Sequence, residues 1–147
     1  MNYQKEIIIH CPIQTVHEKF IDLEKRPLWQ KGLISTTLLN GHGLEVGTRH
    51  SLVFDTGKSQ MTMVETILEN DLPRRIRASY ETRGVLNISD DRFEAVDEHT
   101  TRYLSIQDFQ MNAFMMKLMA FFMSGMFRKQ TYETMEDFKA FCEEDTP

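Results

Sequence analysis

The stretch RRIRASYETR, residues 74–83, determines how the middle of the chain folds. Its residues Ile76, Ala78 and Tyr80 alternate with charged residues, which is the two-residue period of a β-strand. A strand of this kind belongs to an antiparallel sheet with one face in water and the other face covered. We therefore expect Tyr80 to lie on the covered face.

The same alternation extends outward from this stretch, from Leu33 to Phe109. Turn-forming residues interrupt it at intervals of roughly ten to fifteen residues. These turns are expected at residues 41–43, 55–57, 70–73, 83–84 and 97–100. The spacing is typical of an antiparallel meander of about five or six strands.

Strand and helix patterns flank the meander. Residues 7–9 are β-branched and predict a first strand, after which Pro12 suits the first turn of a short helix. A second short helix is expected around residues 22–30. From Ala113 to Glu144 only Gly125 interrupts a helical pattern, which predicts one closing helix of about 30 residues. The fold class is α+β, in one domain over residues 1–147.

Three segments resemble the START-related superfamily that is also called SRPBCC and includes polyketide cyclase/dehydrase-like proteins. They are IIIHCPIQTVHEKFIDLEKRPLWQKGL (7–33), MVETILENDLPRRIRASYETRGV (63–85) and ETMEDFKAFCEE (133–144). The resemblance implies a helix-grip fold, in which a curved antiparallel sheet of about six to seven strands wraps around a long C-terminal helix. It also implies an apolar cavity. The superfamily includes carriers, sensors and enzymes, so the function remains open.

The composition argues against several classes of partner. The chain has 147 residues with 17 basic against 22 acidic side chains, a net charge of -5. A protein that follows phosphate backbones carries a basic stripe, so no nucleic acid partner is expected. The longest apolar stretch, residues 113–127, is shorter than the ~20 residues of a membrane span. Because no secretory signal is evident, a cytoplasmic location is expected.

No motif indicates a metal or a cofactor. The histidines lack the i, i+2 or i, i+4 spacing of metal sites, and no phosphate-binding glycine motif is present. Cys11 and Cys142 have no metal-ligand spacing and are expected to be reduced. The acidic pair Asp90 and Asp91 is interpreted as solvated surface. We predict no cofactor and no metal, and we recognise no catalytic motif.

Two polar residues are weak candidates for catalysis. His50 alternates with Leu52 and Phe54, and an imidazole in an apolar cavity can orient a ligand or accept a proton. Glu65 alternates with Met63, and burial raises the pKa of such a carboxylate. The alternatives are a hydrogen-bonded core histidine and a structural ion pair. Which face of the strand from Met61 to Leu68 points inward stays open.

Aromatic and amide side chains on covered faces are candidates for lining a cavity. Trp29, the only tryptophan, lies in the second short helix, where it is either a gate at the cavity mouth or a hydrophobic anchor. The full set of predicted ligand-binding residues is Trp29, His50, Phe54, Met63, Tyr80, Asn87, Tyr103, Met115, Met119, Phe122 and Met126.

The methionine content is the most unusual feature of the sequence. Six of the ten methionines lie between residues 111 and 126. Methionine is flexible and polarizable and suits surfaces that accept varied apolar partners, so a stripe of it can line a pocket or fill a loose core. Phe114, Leu118 and Phe121 lie on other faces of this segment. We expect a second subunit to cover part of it, as in a homodimer, or part of it to be an exposed ligand portal.

Three functional hypotheses follow. The first is binding or transport of a small hydrophobic molecule, lipid-like, polyketide-like or aromatic, in an internal cavity. The second is an enzyme of the cyclase, dehydratase or hydrolase type, in which His50 and Glu65 transfer protons. The third is a protein-interaction domain that docks through the helix rich in Met and Phe.

Overall fold

The computed structural model describes residues 1–122 and 125–144, without the side chains of residues 119–122. Within them, the strands are β1 (Asn2–Ile9), β2 (Leu33–Asn40), β3 (Arg49–Asp55), β4 (Gln60–Asp71), β5 (Arg75–Thr82), β6 (Val85–Asp97) and β7 (Thr100–Met111). They form one antiparallel sheet in the order β1-β7-β6-β5-β4-β3-β2. Strands β2 to β7 follow one another as neighbours, which confirms the predicted meander, and β1 adds to it by pairing with β7.

The helices are α1 (Ile13–Phe20), α2 (Ala113–Phe122) and α3 (Met126–Glu143), with a 3-10 helix at Leu23–Leu28. Helix α1 begins directly after Pro12 and buries Val16 completely. The 3-10 helix stands where the second short helix is predicted. The α+β helix-grip architecture expected from the sequence is therefore confirmed.

The long C-terminal helix is present as α3, but it does not extend back to Ala113 as expected. Gly125 has a φ of 92°, a left-handed conformation that an α-helix does not contain. Helix α2 therefore ends before this residue, and α3 starts after it. No helix in the described part of the chain combines the length and the apolar character needed to cross a bilayer.

The core lies between α3 and the half of the sheet formed by β1, β7 and β6. Phe138 of α3 is fully buried. Its ring lies 4.8 Å from that of Trp29 and 5.7 Å from that of Phe20, measured between centroids. It also contacts the rings of Phe93 and Tyr103 on the sheet, at 6.4 and 5.9 Å. Burial of large aromatic side chains in such a cluster is a main source of stability.

The two cysteines connect the segment before α1 with the last turn of α3. The Sγ of Cys11 donates a hydrogen bond to the carbonyl oxygen of Cys142 across 3.0 Å, and both thiols are free and buried. Burial raises the pKa of Cys142 to about 12. These thiols are therefore packing residues rather than nucleophiles.

Candidate functional site

The candidate site is an interior cavity between the inner face of β4, β5 and β6 and the segment formed by α1 and the 3-10 helix. Its volume is about 50 Å³. This space holds one or two water molecules and is far below the roughly 300 Å³ of a typical ligand site. Its lining is apolar on one side, with Phe20, Leu23, Leu44, Ile67, Ile76 and Ala78, and polar on the other, with Arg26, Trp29, Gln30, Glu65, Tyr80, Ser89 and Asp91.

Strand pairing brings the polar groups together. His50 on β3 lies opposite Glu65 on β4, and Glu65 lies opposite Tyr80 on β5. Tyr80 in turn lies opposite Asn87 on β6. Residues directly opposite each other in antiparallel strands share one face, so the four side chains form a single row across the inner face of the sheet.

Arg26 neutralises Glu65 across the cavity. Arg26 lies in the 3-10 helix, is 5% exposed, and donates from Nη1 to Oε1 of Glu65 at 3.1 Å and from Nη2 to Oε2. Its Nε donates to Gln30 at 3.0 Å. A two-pronged contact of this kind fixes both side chains and ties the 3-10 helix to the sheet.

Glu65 is held as a carboxylate. Burial by itself would raise the pKa of Glu65, but the charge of Arg26 and hydrogen bonds from His50 and Arg26 lower it to about 2. The Nδ1 atom of His50 is 3.1 Å from Oε1 of Glu65, and both side chains are buried. The inward face of β4 is thus the one that carries Glu65. A carboxylate so strongly stabilised is a poor proton acceptor near neutral pH.

Asp91 is a different kind of carboxyl group. Burial raises the pKa of Asp91 to about 6, and hydrogen bonds from Ser105 and Tyr103 offset part of that rise. The hydroxyl of Tyr103 donates to its Oδ1 at 3.1 Å. Within the described residues, no lysine or arginine forms an ion pair with Asp91. A carboxyl group with a pKa near neutrality can exchange a proton with a bound molecule.

Trp29 lines the cavity and has a buried indole N–H. The side chain is 5% exposed, and its ring packs 5.8 Å from that of Phe20. Among the described residues, its Nε1–H has no hydrogen-bond partner. A buried N–H without a partner costs free energy, and such a group in a cavity points to an acceptor supplied by something else.

The fold has clear counterparts among solved structures. No protein-family model and no curated protein sequence matches the chain. The Zhui aromatase/cyclase from Streptomyces sp. R1128 superposes with a TM-score of 0.76 at 12% identity, over 97% of this chain and 93% of that one. A START superfamily protein from Mycobacterium smegmatis gives 0.76 at 10% identity, over 99% of each chain. The chain has a START-like fold.

A third similar structure has small molecules in its printed description. Norcoclaurine synthase from Thalictrum flavum, in complex with dopamine and hydroxybenzaldehyde, gives a TM-score of 0.75 at 11% identity, over 100% of this chain and 88% of that one. At these identities the likeness establishes the fold and not the activity.

The START-like fold brings some of the predicted residues to the cavity. Trp29, Glu65 and Tyr80 line it, and burial together with the charge of Glu65 raises the pKa of Tyr80 well above its usual value. His50 does not line the cavity, but its ring contacts Glu65, which does. Tyr103 is buried behind Asp91 in the same way.

Other predicted residues lie elsewhere. Asn87 donates to Oε1 of Gln107 at 3.0 Å, and Phe54 and Met63 are half-buried nearer the β2 edge of the sheet, outside the described lining. Met63 and Phe54 lie in the two inner-face rows that follow the row of His50 and Glu65, away from the cavity. Asn87 is in the row of Tyr80, but its amide is hydrogen-bonded to Gln107.

The break at Gly125 separates Met126 from the rest of the predicted methionine stripe. Met115 is half-buried beside Gly84, whereas Met126 is 47% exposed at the start of α3. The turn at Gly125 breaks the i, i+4 spacing on which the stripe depends. The side chains of Met119 and Phe122 lie outside the described residues.

Arg26 and Asp91 were missed by the sequence analysis. Asp91 carried a usable signal, since Ser89, Asp91 and Phe93 alternate with charged residues, so the interpretation of Asp91 as solvated surface is wrong. Its neighbour Asp90 points the other way and accepts hydrogen bonds from Arg75 and Arg92 on the outer face. Arg26 gave no signal, because its partner lies 39 residues away.

The described residues contain no group of three side chains able to hold a metal ion.

Proposed function

We propose that the protein binds a small, mostly hydrophobic molecule in the interior cavity and that this molecule accepts a hydrogen bond from Trp29. The observation that carries the proposal is the partnerless Nε1–H of a tryptophan that is 5% exposed and lines the cavity. Aromatic and aliphatic walls with a few convergent polar groups are the usual composition of a ligand site. The START-like neighbours include a protein solved with two aromatic ligands, which supports the same class.

The small size of the cavity constrains how a ligand enters. A volume of about 50 Å³ admits no drug-sized molecule without movement of the walls. The wall opposite the sheet includes the 3-10 helix, which the buried Arg26–Glu65 pair attaches to the sheet. We infer that ligand entry displaces this helix and loosens that pair.

Native mass spectrometry of the protein as purified from cells tests the proposal. A reproducible excess mass that disappears on denaturation, and is recovered in the extract, is the expected result. A small-molecule screen by ligand-observed NMR follows if the purified protein carries no excess mass. Absence of both an adduct and any binder among hydrophobic compounds would contradict the proposal.

Trp29→Phe makes the test specific. The variant keeps an aromatic ring and removes the N–H, so affinity for the identified ligand should fall about tenfold. Because the smaller ring leaves space beside Phe20 and Phe138, circular dichroism verifies that the variant is folded before binding is measured. Tyr3→Phe is the matched control, because it removes a polar atom that bonds Thr131 away from the cavity. If both variants bind as the wild type does, Trp29 is only an anchor.

A second function, proton-transfer catalysis, is favoured by Asp91. Its pKa of about 6 and its place in the cavity lining suit a general acid or base better than the predicted His50 and Glu65 pair. Incubating the recovered ligand with the protein separates the two functions. Conversion that is lost in Asp91→Asn indicates an enzyme, and recovery of unchanged ligand indicates a carrier. A cytoplasmic location stays a prediction that cell fractionation checks.

A further inference from the structure

The first half of α2 presents large apolar side chains to solvent around a cation. Phe114 is 69% exposed and Met116 is 60% exposed, and Lys117 lies between them on the exposed arc of the helix. At 100° per residue the opposite arc carries Met115 and Leu118, which are half-buried against the protein. We call Phe114, Met116 and Lys117 the α2 outer face.

The surrounding sequence is positively charged within an acidic protein. Residues 109–132 contain Lys117, Arg128 and Lys129 and no aspartate or glutamate, although the whole chain has a net charge of -5. Arg128 lies over the ring of Tyr3, and Lys129 is 3.8 Å from Glu133 at exposed positions. Glu133 offsets the charge of Lys129, so the positive charge of the segment comes mainly from Lys117 and Arg128.

The charge pattern distinguishes between two occupants of this face. A second copy related by two-fold symmetry would bring the cations of one chain against those of the other, with no acid in the segment to compensate them. A bilayer with anionic headgroups suits both the apolar and the cationic side chains of this face. It accepts apolar side chains below the headgroups, and the headgroups attract cations.

We propose that the α2 outer face docks on the surface of an anionic lipid bilayer. Phe114 and Met116 enter the headgroup region, and Lys117 lies against lipid phosphates. With ten residues, helix α2 is too short to span a bilayer, so in this arrangement it lies along the membrane surface. This surface attachment does not depend on the cavity ligand proposed above.

Vesicle flotation tests the docking directly. Wild-type protein is mixed with vesicles of phosphatidylcholine alone or of phosphatidylcholine with phosphatidylglycerol, each at low and at high salt. We expect binding to the anionic vesicles that is at least about tenfold stronger than to the neutral ones and that falls as salt screens the charges.

Two variants separate the apolar and the electrostatic contributions. Phe114→Ser combined with Met116→Ser should reduce binding to anionic vesicles about tenfold or more. Val46→Ser combined with Val96→Ser removes two apolar side chains that are 64% and 48% exposed elsewhere, and should bind as the wild type does. Lys117→Gln should weaken binding to anionic vesicles about fivefold and leave binding to neutral vesicles unchanged.

Three results would overturn the proposal. The first is no binding of the wild type to either vesicle, and the second is equal binding of the wild type and the Phe114→Ser/Met116→Ser variant. The third is a dimer in analytical ultracentrifugation that the same double variant dissociates, which would assign the face to a second copy. Circular dichroism of each variant verifies that the fold is retained, which is expected because the substituted side chains are exposed.

Discussion

The Arg26–Glu65 pair is the interaction on which the candidate site depends at the scale of single residues. Both side chains are almost completely removed from water, at 5% and 1% exposure. Removing one member of such a pair leaves the other charge buried and uncompensated, which is much more costly than never having buried the pair.

Glu65→Gln should therefore lower the free energy of unfolding by about 3–5 kcal/mol. The measurement is urea denaturation at neutral pH. Glu45→Gln is the control, because Glu45 forms its pair with His42 at an exposed position; it should cost less than about 1 kcal/mol. Similar losses of unfolding free energy in the two variants would show that the buried Arg26–Glu65 pair is no more costly to break than an exposed pair.

Asp91 gives the protein a stability that depends on pH. Its pKa is raised from 3.8 to about 6, so the folded state holds a proton that the unfolded state releases. The stabilisation is complete below about pH 4 and is lost as the pH rises through 6. Glu65 has the opposite sign, and its contribution is lost only as the pH falls from 4.5 toward 2.

Asp91→Asn should therefore be more stable than the wild type at pH 8, by on the order of 2 kcal/mol, and the advantage should vanish near pH 4. Unfolding curves across that range measure the difference. Asp97→Asn should show no such gain, because the backbone N–H of His99 lowers the pKa of Asp97. A gain for Asp91→Asn that is constant with pH would contradict the assignment.

Alternation along strands predicted that Tyr80 lies on the covered face and grouped His50 with Leu52 and Phe54, but it left open which face of β4, and therefore whether Glu65, points inward. It could not predict the state of Glu65, because that depends on Arg26 in a helix 39 residues earlier. The sequence analysis predicted a buried carboxyl group with a raised pKa, but it assigned this property to Glu65, whose pKa is lowered. Asp91, which has no cationic partner in the described chain, is the residue that shows it.

At the scale of secondary-structure elements, one face of α3 packs against most of the other elements that form the core. Phe138 contacts rings from α1, the loop after the 3-10 helix, β6 and β7. The helical pattern of the α3 segment was evident in the sequence. The separation of α2 from α3 was not, because a single glycine is tolerated within many helices, and only the φ of 92° at Gly125 reveals the break.

Phe138→Ala should lower the free energy of unfolding by about 3–5 kcal/mol, because it leaves a cavity among rings that cannot all collapse into it. Tyr132→Ala is the control on the same helix, since Tyr132 is 43% exposed. It should cost less than about 1 kcal/mol. Thermal denaturation compares the two, and equal losses would show that α3 is not the centre of the core.

At the scale of the whole molecule, the two edges of the sheet differ. Strand β1 is covered by α3, which reaches it through a hydrogen bond from Lys139 to the carbonyl oxygen of Ile8. Strand β2 lies at the other edge, and every residue after Leu33 in it is exposed. Stability is therefore expected to be uneven across the fold.

Hydrogen exchange measures this difference. Amides of β6 and β7 should exchange only on global unfolding, whereas those of β2 should exchange through local opening, at least about a hundredfold faster. Addition of a cavity ligand should slow exchange in the 3-10 helix more than in β2. Equal protection of β2 and β7 would contradict the uneven stability inferred from burial.

The pairing of β1 with β7 also has a consequence for the order of events on the ribosome. Asn2 lies opposite Asp108, and the side chain of Glu143 accepts a hydrogen bond from the backbone of His10. Strand β1 thus has no partner until β7 is synthesised about a hundred residues later, while the hairpins between β2 and β7 involve neighbours in sequence. Nascent chains stalled before β7 should carry β1 as an unpaired apolar segment, available to chaperones that bind such segments during synthesis.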